Sequence, residues 1–238
     1  MGRGARRPRR VARETALITA VATQLDTAGF AVFRGVVGRE ALARLRATYE
    51  RAVANGAPPD LSVKNDLRLH GLVNADAEFD ALYVCGAFLD ACRRVIRAPF
   101  KLGCLLARTV PPGAAAQQLH ADIAADARGW PMVGFIVMLD DFRADNGATR
   151  FVPGSHRRAP PLDDGAAHVL ACAPAGSAIL YNGCVWHGYT ANRSGGPRRS
   201  VQGSYVRHDV ASWLTPARVA AATVARASPL ARQLLGLS

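Results

Sequence analysis

Between Lys101 and Arg207 the chain is a succession of short apolar runs, each closed by a cluster of turn-forming residues. The runs are Lys101 to Val110, Met132 to Leu139, Thr149 to Val152, His168 to Ala173, Ser177 to Tyr181, Val185 to Thr190 and Arg198 to Arg207. Between them lie Pro111-Pro112-Gly113, Asp145-Asn146-Gly147, Pro153-Gly154-Ser155, Pro174-Ala175-Gly176 and Ser194-Gly195-Gly196-Pro197. Seven or eight short strands punctuated in this way predict a sandwich or jelly roll. The N-terminal third has a different period. Leu42, Leu45, Tyr49 and Val53 recur at helical spacing within Arg39 to Ala54, and Phe79 to Ile96 follows the same pattern. Gly29 to Val36 reads as a short strand after a helix-ending glycine. Asp60 to Ala77 is polar and irregular and reads as a loop, over a site or as a plain surface connection. Helical segments around Pro216 and Pro229 close the chain from Leu214 to Leu237. The expectation is a mainly β fold with flanking helices, in a single domain over residues 14–238.

Charge narrows the function less than it first promises. The formal net charge is +12, but six arginines (Arg3, Arg6, Arg7, Arg9, Arg10, Arg13) crowd the first thirteen residues without an acid among them. The remaining 24 basic and 18 acidic side chains leave +6. Residues 1–13 read as a solvated, disordered basic leader that binds polyanions weakly. The rest of the chain has no basic helix with interleaved aromatics, so specific nucleic-acid binding is not expected. Arg13 to Ala28 reads as an amphipathic helix of the domain, because Arg13, Glu14, Gln24 and Asp26 interrupt any signal-like apolar core. No apolar run approaches the ~18–20 residues of a membrane span. Five cysteines, an odd number without a C-x-x-C pair, predict reduced thiols and a cytoplasmic location. Cys184, three residues before His187, falls on the opposite strand face and is expected to serve packing.

The chemistry is carried by "QQLHADIA" and "YNGCVWHGYT". On an extended segment His120 and Asp122 point to one face, one pleat apart, and Gln118 shares that face. His187 has to arrive from another strand, which the apolar run "GSAILYNGCVWHGY" supplies. Two imidazoles and one carboxylate with open positions are the ligand set of non-haem Fe(II) oxygenases. The open positions accommodate a chelating 2-oxo acid and O2. A dicarboxylic cosubstrate needs a cation for its far carboxylate, and Arg198 follows His187 by eleven residues across a Gly/Pro/Ser/Asn-rich turn. Antiparallel strands on either side of that turn bring its guanidinium fork near the metal face, while Arg199 points away to the exterior. The other histidines are less well placed: His156 is expected to hydrogen-bond its own turn, His70 and His168 lie in polar loops, and His208 follows the last strand.

With these residues in view, the sequence resembles the phytanoyl-CoA dioxygenase family from about Val21 to Leu237. The likeness rests on "LDTAGFAVFRGVVGREALARLR", "QQLHAD", "LDDFRADNGATRFVPGSHR" and "GSAILYNGCVWHGYTANRSGGPRRS". It implies a double-stranded β-helix (a cupin-like jelly roll) that uses Fe(II) and 2-oxoglutarate. His120, Asp122 and His187 match the family's metal ligands, and Arg198 matches its 2-oxoglutarate anchor. Many members carry a serine two residues after the distal histidine to assist the same carboxylate. Tyr189 holds that position here, so either its phenol or the neighbouring Thr190 is expected to take the task. Gln118 and Thr149 are further candidates for the pocket wall. Halogenating members replace the aspartate, and the intact Asp122 favours hydroxylation or a related oxidation.

The function expected is therefore an Fe(II)/2-oxoglutarate-dependent dioxygenase acting on a small or medium organic substrate in specialised metabolism. The alternative is a non-catalytic, metal-binding, cupin-like sensor or scaffold, for which Arg198 has no use. A nucleic-acid demethylase or binder draws on the basic leader alone.

Overall fold

Ten strands, all paired antiparallel, form two sheets in the described residues. They are β1 (Phe30–Phe33), β2 (Asp60–Leu61), β3 (Leu67–His70), β4 (Phe100–Val110), β5 (Met132–Met138), β6 (Thr149–Phe151), β7 (Val169–Leu170), β8 (Ala178–Asn182), β9 (His187–Tyr189) and β10 (Arg198–Arg207). This computed structural model describes residues 21, 23–56, 60–61, 67–158 and 165–237. The larger sheet has the order β1-β8-β5-β10-β4-β3-β2, and the smaller one β7-β6-β9.

Period-2 alternation explains the layering. On β5, Val133, Phe135 and Val137 join the core under the helices, while Ile136 and Met138 join a second core between the sheets. That strand is buried on both faces, which is why its sequence is an unbroken apolar run rather than an alternating one. β8 divides in the same way: Ala178 and Leu180 face the helices, Ile179 and Tyr181 the small sheet. Phe151 of β6 closes the inter-sheet layer, stacked on Phe30 of β1 with ring centroids 4.4 Å apart. Burying one such ring contributes roughly 1.5–3 kcal/mol. Two antiparallel sheets face to face with helices on one outer side make the mainly β jelly roll expected from the sequence.

The helices Arg39–Asn55 and Gly86–Ile96 cover the outer face of the large sheet. Tyr49 of the first reaches Thr109 of β4 through its hydroxyl, at 2.8 Å. Arg199 points away from the inter-sheet space as expected, but it is not a free surface residue. It grips Asp140 in a two-point contact at 2.7 and 2.9 Å and also meets Glu50 of the Arg39–Asn55 helix. Asp140 and Glu50 hold its charge high on the scale, well above the ordinary guanidinium range.

Several boundaries differ from the sequence reading. The polar stretch from Asp60 to Ala77 contains β3, because Leu67 and Leu69 alternate with Arg68 and His70 and pair with Thr109 to Leu106 of β4. The predicted strand from His168 to Ala173 shortens to Val169–Leu170. The helical pattern from Phe79 to Ile96 breaks at Val84-Cys85, where Cys85 turns extended before the Gly86–Ile96 helix begins. Residues 23–27 are helical, whereas the basic leader and most of the predicted helix from Arg13 to Ala28 lie outside the described residues. Among the described residues no helix is long and apolar enough to cross a membrane.

Candidate metal centre

His187 opens β9, and its backbone pairs with His120: each amide donates to the other's carbonyl, at 3.0 and 2.9 Å. Gln117 N then donates to Tyr189 O at 2.9 Å. A regular antiparallel ladder would place residue 118 opposite Tyr189, so one extra residue is accommodated between Gln117 and His120, as in a bulge. The consequence corrects the sequence reading. Gln117 is buried and lines the cavity, whereas Gln118 is exposed. Gly188 permits this crowding, since a Cβ there would sit 2.9 Å from Gln117 O and 3.0 Å from Gln118 O. Asp122 lies past the bridge in a bend rather than on a regular strand, held by Asp122 N donating to Gly183 O at 2.9 Å.

The three expected ligands converge. Nε2 of His120 is 3.6 Å from Asp122 Oδ1, and Nε2 of His187 is 3.8 Å from the same oxygen. One donor atom from each residue lies within 4.8 Å of the others. Adjacent ligands on a first-row ion, at ~2.0–2.2 Å from it, would stand about 3 Å apart, so small side-chain rotations close the set. The hydrogen bonds around the donors fit an ion. Nδ1 of His120 donates to Gln118 O at 3.1 Å, and Nδ1 of His187 to Val185 O at 3.0 Å. Carbonyls only accept, so both rings carry the proton on Nδ1 and present Nε2 as the ligand atom. The His187 ring stacks on Phe151 at 5.5 Å. Tyr181 donates its hydroxyl to Asp122 Oδ2 at 2.8 Å, leaving Oδ1 to face the two imidazoles. Burial first, and then the Asp122 charge, push the Tyr181 phenol well above its ordinary pKa, so it stays a donor. A Cβ on its cross-strand partner Gly134 would fall 2.2 Å from the ring, so glycine makes the place that Tyr181 occupies.

The three residues open into a cavity of about 270 Å³ between the sheets. Arg198 lines it and is 1% exposed. Its Nη1 donates to Ser200 Oγ at 3.2 Å, and its guanidinium lies 4.3 Å over the Phe142 ring. Thr149 and Tyr189, paired across β6 and β9, are both buried on the cavity wall. The structure separates the two candidates for the carboxylate-assisting position. Tyr189 faces the cavity, while Thr190 donates its hydroxyl to Ala148 O at 3.1 Å and is not on the wall.

Sequence reasoning missed Tyr181, Gln117, Arg108, Arg68, Ser200 and Gln202, all but Ser200 on the cavity wall. Ser200 and Gln202 were within reach of it, since they follow Arg198 at steps of two on one strand face. The remaining histidines stand apart from the centre. His156 is buried and donates from Nε2 to Asp26 O at 3.0 Å, tying down the chain before β1 instead of its own turn. His70 lies in β3, with its ring 5.0 Å from that of Trp213. Cys184 is buried in the turn after β8, and all five cysteines are free.

Comparison with known proteins bears on the fold and the family. The dioxygenase cdmA of Talaromyces verruculosus is 38% identical over 104 residues, which is 39% of this chain and 35% of that protein. The Fe(II)/2-oxoglutarate-dependent dioxygenase nvfF of Aspergillus novofumigatus is 32% identical over 139 residues, 52% of this chain and 45% of that protein. The matches to these two curated relatives thus span between about a third and a half of their length. Among solved structures, the non-heme alpha ketoglutarate dependent epimerase SnoN from nogalamycin biosynthesis superposes with a TM-score of 0.71. Its identity is 19%, over 81% of this chain and 84% of that one. HygX from Streptomyces hygroscopicus, with nickel, 2-oxoglutarate and hygromycin B bound, gives 0.70 at 21% identity, over 82% and 89%. At these identities the two structures establish the fold, a double-stranded β-helix. The family model for phytanoyl-CoA dioxygenase (PhyH) matches residues 25–200. That span takes in β1, all three converging donors and Arg198, and the chain belongs to the phytanoyl-CoA dioxygenase family.

Proposed function

We propose that this chain is an Fe(II)- and 2-oxoglutarate-dependent dioxygenase that hydroxylates, or otherwise oxidises, a small or medium organic molecule in specialised metabolism. The observation that carries this reading is one cavity holding both the three donors and a fully buried Arg198. His120, Asp122 and His187 would hold the iron. Bound there with 2-oxoglutarate, it supplies the activation of O2 that the chain's own side chains lack.

The side chains provide position and shielding. Tyr181 fixes which oxygen of Asp122 faces the imidazoles, and the two backbone carbonyls fix the imidazole tautomers. Arg198 offers its fork to the distal carboxylate of 2-oxoglutarate, oriented by Ser200 and by the Phe142 face. Tyr189 and Thr149 stand on the wall beside that carboxylate's place, with Tyr189 in the position of the family's serine. Leu106, Met132 and Ile136 supply apolar wall and exclude water from the reacting end. A buried cation is costly. A sensor that needs only a bound metal gains nothing from one on the cavity wall, which favours the oxygenase. Five free thiols, an odd number with no disulfide among them, favour a reducing, cytoplasmic setting for this activity.

The experiment is succinate release against 2-oxoglutarate concentration for Arg198→Ala and Arg198→Lys, with iron titrated separately. Removing one partner of a buried charge pair costs roughly 2–5 kcal/mol. Arg198→Ala is expected to raise the 2-oxoglutarate requirement at least about tenfold, Arg198→Lys to restore part of it, and iron affinity to hold. An unchanged 2-oxoglutarate dependence in Arg198→Ala would make the arginine structural and overturn the cosubstrate assignment.

A further inference from the structure

One row of aligned residues crosses the large sheet at the cavity. Met138 on β5, Ser200 on β10, Arg108 on β4 and Arg68 on β3 are successive cross-strand partners. Arg108 and Arg68 both line the cavity and are half-buried, in contrast to the fully buried Arg198. Like charges directly opposite one another weaken a sheet. Here they sit side by side on a concave surface, where two planar forks can share one anion.

Arg108 is already oriented for such a task. Its Nη1 donates to Gln202 Oε1 at 3.3 Å and its Nη2 to Gln117 Oε1 at 3.1 Å, and its guanidinium lies 4.8 Å over the Tyr189 ring. Charge matching shows what these two arginines are not needed for. A divalent ion, Asp122, Arg198 and a dianionic 2-oxo acid together carry no net charge. Size points the same way. At about 270 Å³ the cavity lies just under the ~300–1,000 Å³ common for ligand sites. It has room for the cosubstrate and the reacting end of a second molecule, whose polar remainder would lie across the mouth.

We propose that the substrate carries an oxyanion, a carboxylate or a phosphate ester, bound between Arg68 and Arg108 at the mouth of the cavity. This rests on the function proposed above and adds the substrate's chemical class. The distance from anion to reacting carbon is short. A single amide, Gln117, spans from Arg108 to His120, its Nε2 3.4 Å from His120 Nε2. The oxidised carbon therefore lies a few bonds from the anionic group.

The test uses the full chain loaded with Ni(II) and 2-oxoglutarate, and calorimetric binding of four probes: hexanoate, hexanamide, hexyl phosphate and 1-hexanol. The wild type is expected to bind at least one anion about tenfold more tightly than its neutral counterpart. Whichever anion is preferred, carboxylate or phosphate, identifies the source. Arg68→Gln is expected to reduce that preference below about threefold while leaving 2-oxoglutarate affinity within about twofold. Arg108→Lys, which keeps the charge, is expected to retain part of the preference, and circular dichroism of both variants reports their folding. The proposal is overturned if the wild type shows no anion preference with Ni(II) and 2-oxoglutarate bound, or if the preference survives in both variants. It is equally overturned if Arg68→Gln weakens 2-oxoglutarate instead of the probe. Loss of Ni(II) and 2-oxoglutarate binding in the wild type would overturn the function and this inference together. Intact binding of both without anion preference would overturn this inference alone.

Discussion

Tyr181→Phe isolates the contribution of one hydroxyl to the metal centre. The ring keeps its place over Gly134, and Asp122 loses the donor that meets Oδ2 at 2.8 Å. A hydrogen bond to a charged acceptor is worth roughly 1.5–3 kcal/mol, which converts to about one to two decades in affinity. Partners that orient a ligand carboxylate usually fall in the same range, about 10–100-fold. Asp122 is open to solvent at the cavity mouth, so water replaces part of the lost bond, and the lower end is expected. Ni(II) affinity, measured by calorimetry in the absence of 2-oxoglutarate, should therefore fall about tenfold. The melting temperature of the metal-free protein should barely move, because the aromatic packing is unchanged. An Ni(II) Kd within about twofold of wild type, or a tighter one, would refute the reasoning. Unchanged affinity would mean that Asp122 is oriented by something other than Tyr181. Tighter binding would mean that the phenol holds the second oxygen back from the ion.

Gly134→Ala puts a methyl group 2.2 Å from the Tyr181 ring. Overpacking of this kind costs about 1–3 kcal/mol, so the melting temperature and Ni(II) affinity are expected to fall together; a wild-type melting curve would count against the packing account. His156 is buried, and that burial lowers its pKa from 6.5, against the raising effect of Asp26 O. A depressed folded-state pKa gives stability that is present above the unfolded value of 6.5 and lost as pH falls through the folded one. The wild-type melting temperature should therefore drop on acidification below about pH 6.5, and His156→Asn should flatten that drop; identical pH profiles would place the acid sensitivity elsewhere.

The regular parts of this fold announce themselves in sequence. β10 matches its predicted bounds, and β4, β5 and β8 come within a residue or two, because each is an apolar run closed by Gly, Pro or Asp/Asn turns. What was not legible depends on pairing partners. β3 is too polar to read as a strand by itself and is one only because β4 offers it an edge. The site divides the same way. His120, Asp122 and His187 could be proposed from residue type and order. Which glutamine faces the cavity could not, because the extra residue between Gln117 and His120 is set by the register against β9. Tyr181 escaped notice because its role depends on Gly134, forty-seven residues away on the neighbouring strand.

The mutual backbone bond between His120 and His187 has a thermodynamic consequence. Sixty-six residues separate these two ligands, and bringing the ends of such a segment together costs on the order of 4 kcal/mol in chain entropy. In a protein folded by its metal, the ion has to offset that cost. Here the peptide ladder closes the segment through two amide–carbonyl bonds that need no ion as a partner. The free energy of metal binding is thus available in full as affinity and as added thermal stability, about 2.7 kcal/mol at a hundredfold excess over Kd. Chelation should strip this protein of its metal without unfolding it, and the apoprotein should reload reversibly from an already assembled site.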